Sequence, residues 1–93
     1  MNLRQLQSFI WVAEHGSLAH ASAATDQAQS LISRQIAALE AEWGDRLFVR
    51  TGRGMTLSDF GRRMLPEVRT AMEQVTRLDS VVREAAGESP KVA

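Results

Sequence analysis

Cysteine is absent from this 93-residue chain, which removes disulfides and thiolate metal sites together. No basic segment followed by an apolar run stands at its start, and no apolar run approaches bilayer-spanning length. A cytoplasmic location without a membrane partner is the expectation. Net charge is missing too, because eleven cationic and eleven anionic side chains cancel. Taken alone, that balance argues against a polyanionic partner. Lysine is nearly absent, ten of the eleven cations being arginine. The planar arginine fork suits bidentate contact with phosphate or guanine, although a genome-wide arginine bias gives the same count. There is no internal repeat. A chain of this size allows one small domain with a modest core, and a second copy would help it bury more apolar area.

The distribution of charge says more than its sum. Across residues 46–63, Arg46, Arg50, Arg53, Arg62 and Arg63 face Asp59 alone, five minus one giving +4. A local basic stripe matters more for phosphate contact than the total. Around it the pattern is helical. Leu3, Leu6, Phe9, Ile10 and Ala13 predict a first helix over about 3–14, stopped at His15-Gly16, with Trp11 off its stripe. Ser17 is an N-cap for a thin, Ala-rich second helix that breaks near Thr25-Asp26-Gln27. Small residues there let two helices cross closely and steeply, as a helix-turn-helix requires. A third helix over about 28–43 turns Ile32, Ile36, Leu39 and Trp43 to the core and stops at Gly44.

Leu47, Val49, Met55 and Leu57 alternate about Thr51-Gly52-Arg53-Gly54, which predicts a hairpin over 47–57. Ser58 caps a long last helix, and Asp59 suits the positive end of its dipole. Pro66 predicts a bend or break near Leu65. Along this helix Met64, Val68, Ala71, Val75, Leu78, Val82 and Ala85 recur at intervals of 4, 3, 4, 3, 4 and 3. Such a heptad seam, about 30 Å long at 1.5 Å per residue, exceeds what a small domain covers by itself. A second copy of the same helix is the expected cover; an intramolecular core is the alternative.

Leu3-x-x-Leu6-x-x-Phe9, Ala13-Glu14-x-Gly16-Ser17, Ser33-Arg34-Gln35-Ile36-x-x-Leu39-Glu40, Gly44-x-x-Leu47-Phe48-x-Arg50 and Leu57-Ser58-x-x-Gly61 follow one another over nearly the whole chain. In content, order and spacing they resemble the N-terminal DNA-binding domain of LysR-type transcriptional regulators. Three positions depart from that pattern. Thr25 and Gln27 stand where aliphatic residues usually pack the turn, and Ala28 where Ser or Thr often caps the recognition helix. The resemblance implies a mainly α fold: a winged helix-turn-helix of three helices and a short β-hairpin wing, followed by a long C-terminal dimerisation and linker helix. The expected division is 1–58 for the DNA-binding domain, 59–87 for the linker helix and 88–93 for a flexible tail. That tail is expected to lead to a larger effector-binding domain, absent from this chain, where any small-molecule effector would bind.

Gln29, Ser30, Ser33 and Arg34 form the candidate reading face, with Leu31 beside them. Gln can bond adenine through both amide atoms, Arg can bond guanine N7 and O6 or a phosphate, and Leu can touch a thymine methyl. An ordinary solvated helix face fits the same periodicity; the resemblance adds that matching positions contact DNA. Arg50 and Arg53 belong to the wing, and Arg53, nearer the turn, has the longer reach. A narrow A·T-rich minor groove attracts such arginines. The resemblance also carries dimer contacts to Met64, Val68, Ala71, Val75, Leu78 and Val82, with Trp11 added from its position off the first helix's stripe. The expected partners are double-stranded promoter or operator DNA and a second copy of the chain. A winged-helix interaction module without DNA affinity is the alternative.

Enzymatic chemistry has little to stand on. His15 and His20 lack cysteine partners and well-spaced carboxylates, so no metal site is expected. Ser22, His20 and Asp26 make a nucleophile set only on paper, with nothing to place them in a pocket. Gly52 and Gly54 flank Arg53 in a hairpin and not between a strand and a helix, so they form no phosphate-cradling loop. No cofactor is expected.

Overall fold

Residues 1–88 are described in the computed structural model of the chain. They form α1 (Leu3–His15), α2 (Leu18–Thr25), α3 (Gln29–Trp43), β1 (Phe48–Thr51), β2 (Gly54–Leu57) and α4 (Asp59–Glu88). The tail predicted for 88–93 lies outside the described residues, apart from Glu88, which continues α4.

Each boundary has a local cause. Asn2 caps α1 in a reciprocal box, its side chain accepting from Gln5 N–H at 2.9 Å while the Gln5 side chain accepts from Asn2 N–H at 3.2 Å. Gly16 ends α1 at φ +80°, and Ser17 caps α2 by accepting from His20 N–H at 3.0 Å. The turn between α2 and α3 bends at Asp26, which adopts φ +60°. Its polar residues, which replace an apolar turn, are held by hydrogen bonds. Thr25 Oγ1 donates to Ala21 carbonyl at 2.7 Å and Ser22 Oγ donates to Gln27 carbonyl at 2.5 Å. Ala28 gives α3 no side-chain cap, and Gly44 ends α3 in the left-handed region.

The wing is a two-stranded antiparallel hairpin pairing Phe48 with Leu57 and Thr51 with Gly54. It is fastened at two places. Met55 N–H donates to the Gly16 carbonyl at 3.0 Å, so β2 rests on the α1–α2 turn. Gly54 permits this approach, since a Cβ there would stand 2.6 Å from the Gly16 oxygen. On the other side Ser58 caps α4, its hydroxyl accepting from Gly61 N–H at 2.9 Å.

One core joins these elements. Phe9 and Val12 of α1, Ala21 of α2, Ile32, Ile36 and Leu39 of α3, and Leu47 and Phe48 at the wing's start are buried together. Phe9 and Phe48 meet edge to face at 5.5 Å, and Trp43 meets Phe60 likewise at 6.2 Å. α4 joins the core through Leu65 and Val68.

One expectation about α4 needs correction. Pro66 does not break it; the helix is continuous from Asp59 to Glu88. Proline removes one backbone donor and costs about 3 kcal/mol inside a helix. Pro66 is exposed, so the carbonyl left over, that of the exposed Arg62, faces water. Leu65 and Val68, buried on either side, hold the helix down at about 1.5–3 kcal/mol each. The seam is not uniform along its length. Val68, 4% exposed, is turned into the chain's own core. Met64 and Trp11 are half-buried against that core. A heptad pattern records which side of a helix is apolar, not which molecule covers each turn.

Candidate nucleic-acid interface

Burial divides α3 lengthwise. Ile32, Ile36 and Leu39 point inward, whereas Gln29, Ser30 and Arg34 are exposed, and Leu31 and Ser33 are half-buried. All five candidate residues therefore stand on the first two turns of a helix whose opposite side is fixed in the core. Because Ala28 offers no cap, the first backbone N–H groups of α3 have no side-chain partner. They leave the positive end of the helix dipole open toward an anion.

The wing stands beside this helix. Ser33 and Glu40 of α3 line a small cleft with Arg46 and Arg50, floored by Leu18 and Phe48. Ser33 and Arg50 are thus brought together across it. Arg53 does not line the cleft; it occupies the two-residue turn of the hairpin and is exposed. The tip is braced locally, since Thr51 Oγ1 accepts from Arg53 N–H at 3.2 Å and donates to the Gly54 carbonyl at 3.3 Å.

The polar side chains of this face are without partners. The side chains of Gln29, Ser30, Ser33, Arg34, Arg50 and Arg53 make no hydrogen bond or ion pair within the described residues. On α4, Arg62 pairs with Asp59 at 3.0 Å, Arg69 with Glu14 of α1 at 3.7 Å, and Arg83 with Asp79, while Arg63 and Arg77 stay unpaired among the described residues. Amide, hydroxyl and guanidinium groups are therefore all left free on the face formed by α3 and the wing.

Residues 3–62 match the bacterial regulatory helix-turn-helix proteins of the lysR family. The chain belongs to the LysR family. It is similar to the HTH-type transcriptional regulator GalR of Pseudomonas putida, 39% identical over 87 residues, which are 94% of this chain and 22% of that protein. BlaA of Streptomyces cacaoi, also an HTH-type transcriptional regulator, is 38% identical over 94% of this chain and 27% of its own length. Among solved structures, the complex of the CbnR DBD with DNA is 40% identical with a TM-score of 0.85, covering 92% of this chain and 99% of that one. The chain thus spans about a quarter of the length of these curated relatives. Membership identifies it as a LysR-type helix-turn-helix DNA-binding domain and sets aside an interaction module without DNA affinity.

One element of this face was not singled out from the sequence. Arg46 entered only as one charge of the basic stripe, yet it shares the cleft with Ser33 and Arg50. Its position just ahead of the hairpin carries no periodic signal that would have assigned it a direction.

Proposed function

We propose that α3 enters the DNA major groove, with Gln29, Ser30, Leu31, Ser33 and Arg34 meeting base edges and flanking phosphates. Arg50 and Arg53 then meet the neighbouring backbone or minor groove. The observation that carries this reading is the set of unpartnered donors on the first turns of α3, beside a wing with two unpaired guanidiniums. Such groups gain most from a polyanion that offers both acceptors and charge. The division of labour follows the chain: residues 1–58 bind DNA, and 59–87 join two copies.

Two copies pair through Ala71, Val75, Leu78 and Val82, flanked by Met64 and Trp11. Support comes from the exposure of Leu78 and Val82, 62% and 55%, on a helix with few polar alternatives along that stripe. The site read is then roughly palindromic. The protein works in the cytoplasm, where a bacterial regulator meets its DNA. No helix among the described residues is long and apolar enough to cross a membrane. An effector acts through a further domain, and this chain itself catalyses nothing.

Selection of bound duplexes from a random pool tests the reading. The parent chain enriches a two-fold symmetric sequence. Val75→Asp combined with Leu78→Asp sediments as a monomer and enriches at most one half of that sequence. Enrichment of no sequence by the parent, or an unchanged mass for the double variant, would overturn the corresponding half of the proposal.

A further inference from the structure

The peptide joining Arg46 to Leu47 is held from several sides. Arg46 N–H donates to Asp45 Oδ1 at 2.7 Å, and the Arg46 carbonyl accepts from the Ser58 hydroxyl at 2.5 Å. Leu47 N–H donates to Glu40 Oε2 at 2.8 Å, and the Leu47 carbonyl accepts from Ser58 N–H at 2.9 Å. Gly61 closes the remaining side: a Cβ there would stand 2.1 Å from the Leu47 oxygen. The end of α3, the root of the wing and the first turn of α4 therefore converge on two residues.

Leu47 accounts for the inward half of this arrangement, being fully buried. Nothing inside the protein accounts for the outward half. The Arg46 side chain is exposed and makes no hydrogen bond or ion pair. Two carboxylates are at hand, but both Asp45 and Glu40 are engaged by backbone N–H groups instead. The guanidinium is left free at the mouth of the cleft it shares with Ser33 of α3 and Arg50 of the wing.

We propose that Arg46 is a further DNA-contacting residue, which takes a backbone phosphate lying between the α3 contacts and the wing contacts. This rests on the reading of α3 and the wing given above. A fixed Cα leaves only the side chain to be ordered on binding, which lowers the entropic cost, and the planar fork donates to phosphate oxygens in pairs. A phosphate contact positions the protein without reading sequence.

Affinity measured against salt concentration tests this, using the parent chain, Arg46→Ala, Arg46→Lys, Arg34→Ala and Arg77→Ala. Arg77 is an exposed, unpaired arginine of α4 and controls for loss of one charge. Arg46→Ala weakens binding severalfold on cognate and scrambled duplexes alike and lowers the salt slope by about 0.9, one phosphate contact. Arg46→Lys keeps the slope but loses part of the affinity, and Arg77→Ala keeps both. Parental slope and affinity in Arg46→Ala, with Arg34→Ala weakened, overturn the assignment of Arg46 while leaving the α3 reading intact. Parental binding by both variants overturns the α3 reading as well. Thermal melts of each variant separate lost contact from lost fold.

Discussion

At Gly61 a single hydrogen atom decides whether α4 can dock. A methyl group there meets the Leu47 carbonyl oxygen at 2.1 Å, and that oxygen is backbone, bonded to Ser58 N–H, with little room to move. Gly61→Ala is therefore expected to cost about 2–3 kcal/mol, in the upper range for overpacking, and to lower Tm by about 10 °C or more. Gly44→Ala makes the contrast. Its φ of +80° disfavours a side chain, yet nothing lies within 4 Å of the added Cβ. The expected loss is about 1 kcal/mol. Melting curves followed by circular dichroism check the order; equal losses would show that the close approach at Gly61 is not tight. The two glycines differ in the same way in how far the sequence reveals them. Gly44 follows the last apolar residue of a helix and is legible as a stop. Gly61 is legible as the end of the motif Leu57-Ser58-x-x-Gly61, but the reason for it lies in a residue fourteen positions earlier, which no local pattern reveals. Arg46 is legible only as one charge of the basic stripe for the same reason, its placement depending on Ser58 and Glu40.

Among the elements, the periodic ones were the legible ones. The three short helices, the hairpin and the capping roles of Ser17 and Ser58 follow from spacing and turn chemistry, because those signals are local. The path of the α2–α3 turn was not, because it depends on where the hydroxyls of Ser22 and Thr25 find carbonyls. α4 was legible as a helix but not as two functional stretches, since the seam runs unbroken from the core-bound Val68 to the exposed Val82. For α3 the missing cap gives a direct prediction. Ala28 already has an N-cap backbone, φ −61° and ψ 136°. Ala28→Ser is expected to stabilise the chain by about 1 kcal/mol, read as a higher urea midpoint. An unchanged midpoint would mean that the serine hydroxyl does not reach the first free N–H groups.

The whole molecule is elongated, 59 × 26 × 18 Å, because α4 continues well past the body it is anchored to. Leu65 and Val68 fix its first half, and Leu78, Val81 and Val82 are exposed on its second. An apolar stripe carried away from its own core is what a second copy covers in the proposed dimer, and pairing there would set two α3 helices on one duplex. The charge of the molecule has the same division: zero overall, +4 across residues 46–63. That local excess, with the free side chains of α3, is the centre of the account. Its most direct measurement is a gel-shift titration of the parent, Arg34→Ala and Arg53→Ala on the duplex enriched from the random pool. Arg34→Ala should bind more weakly by about 1–3 kcal/mol, roughly 5–150-fold, while Arg53→Ala should weaken binding with a shallower salt dependence. Equal affinity of all three proteins, at every salt concentration, would contradict it.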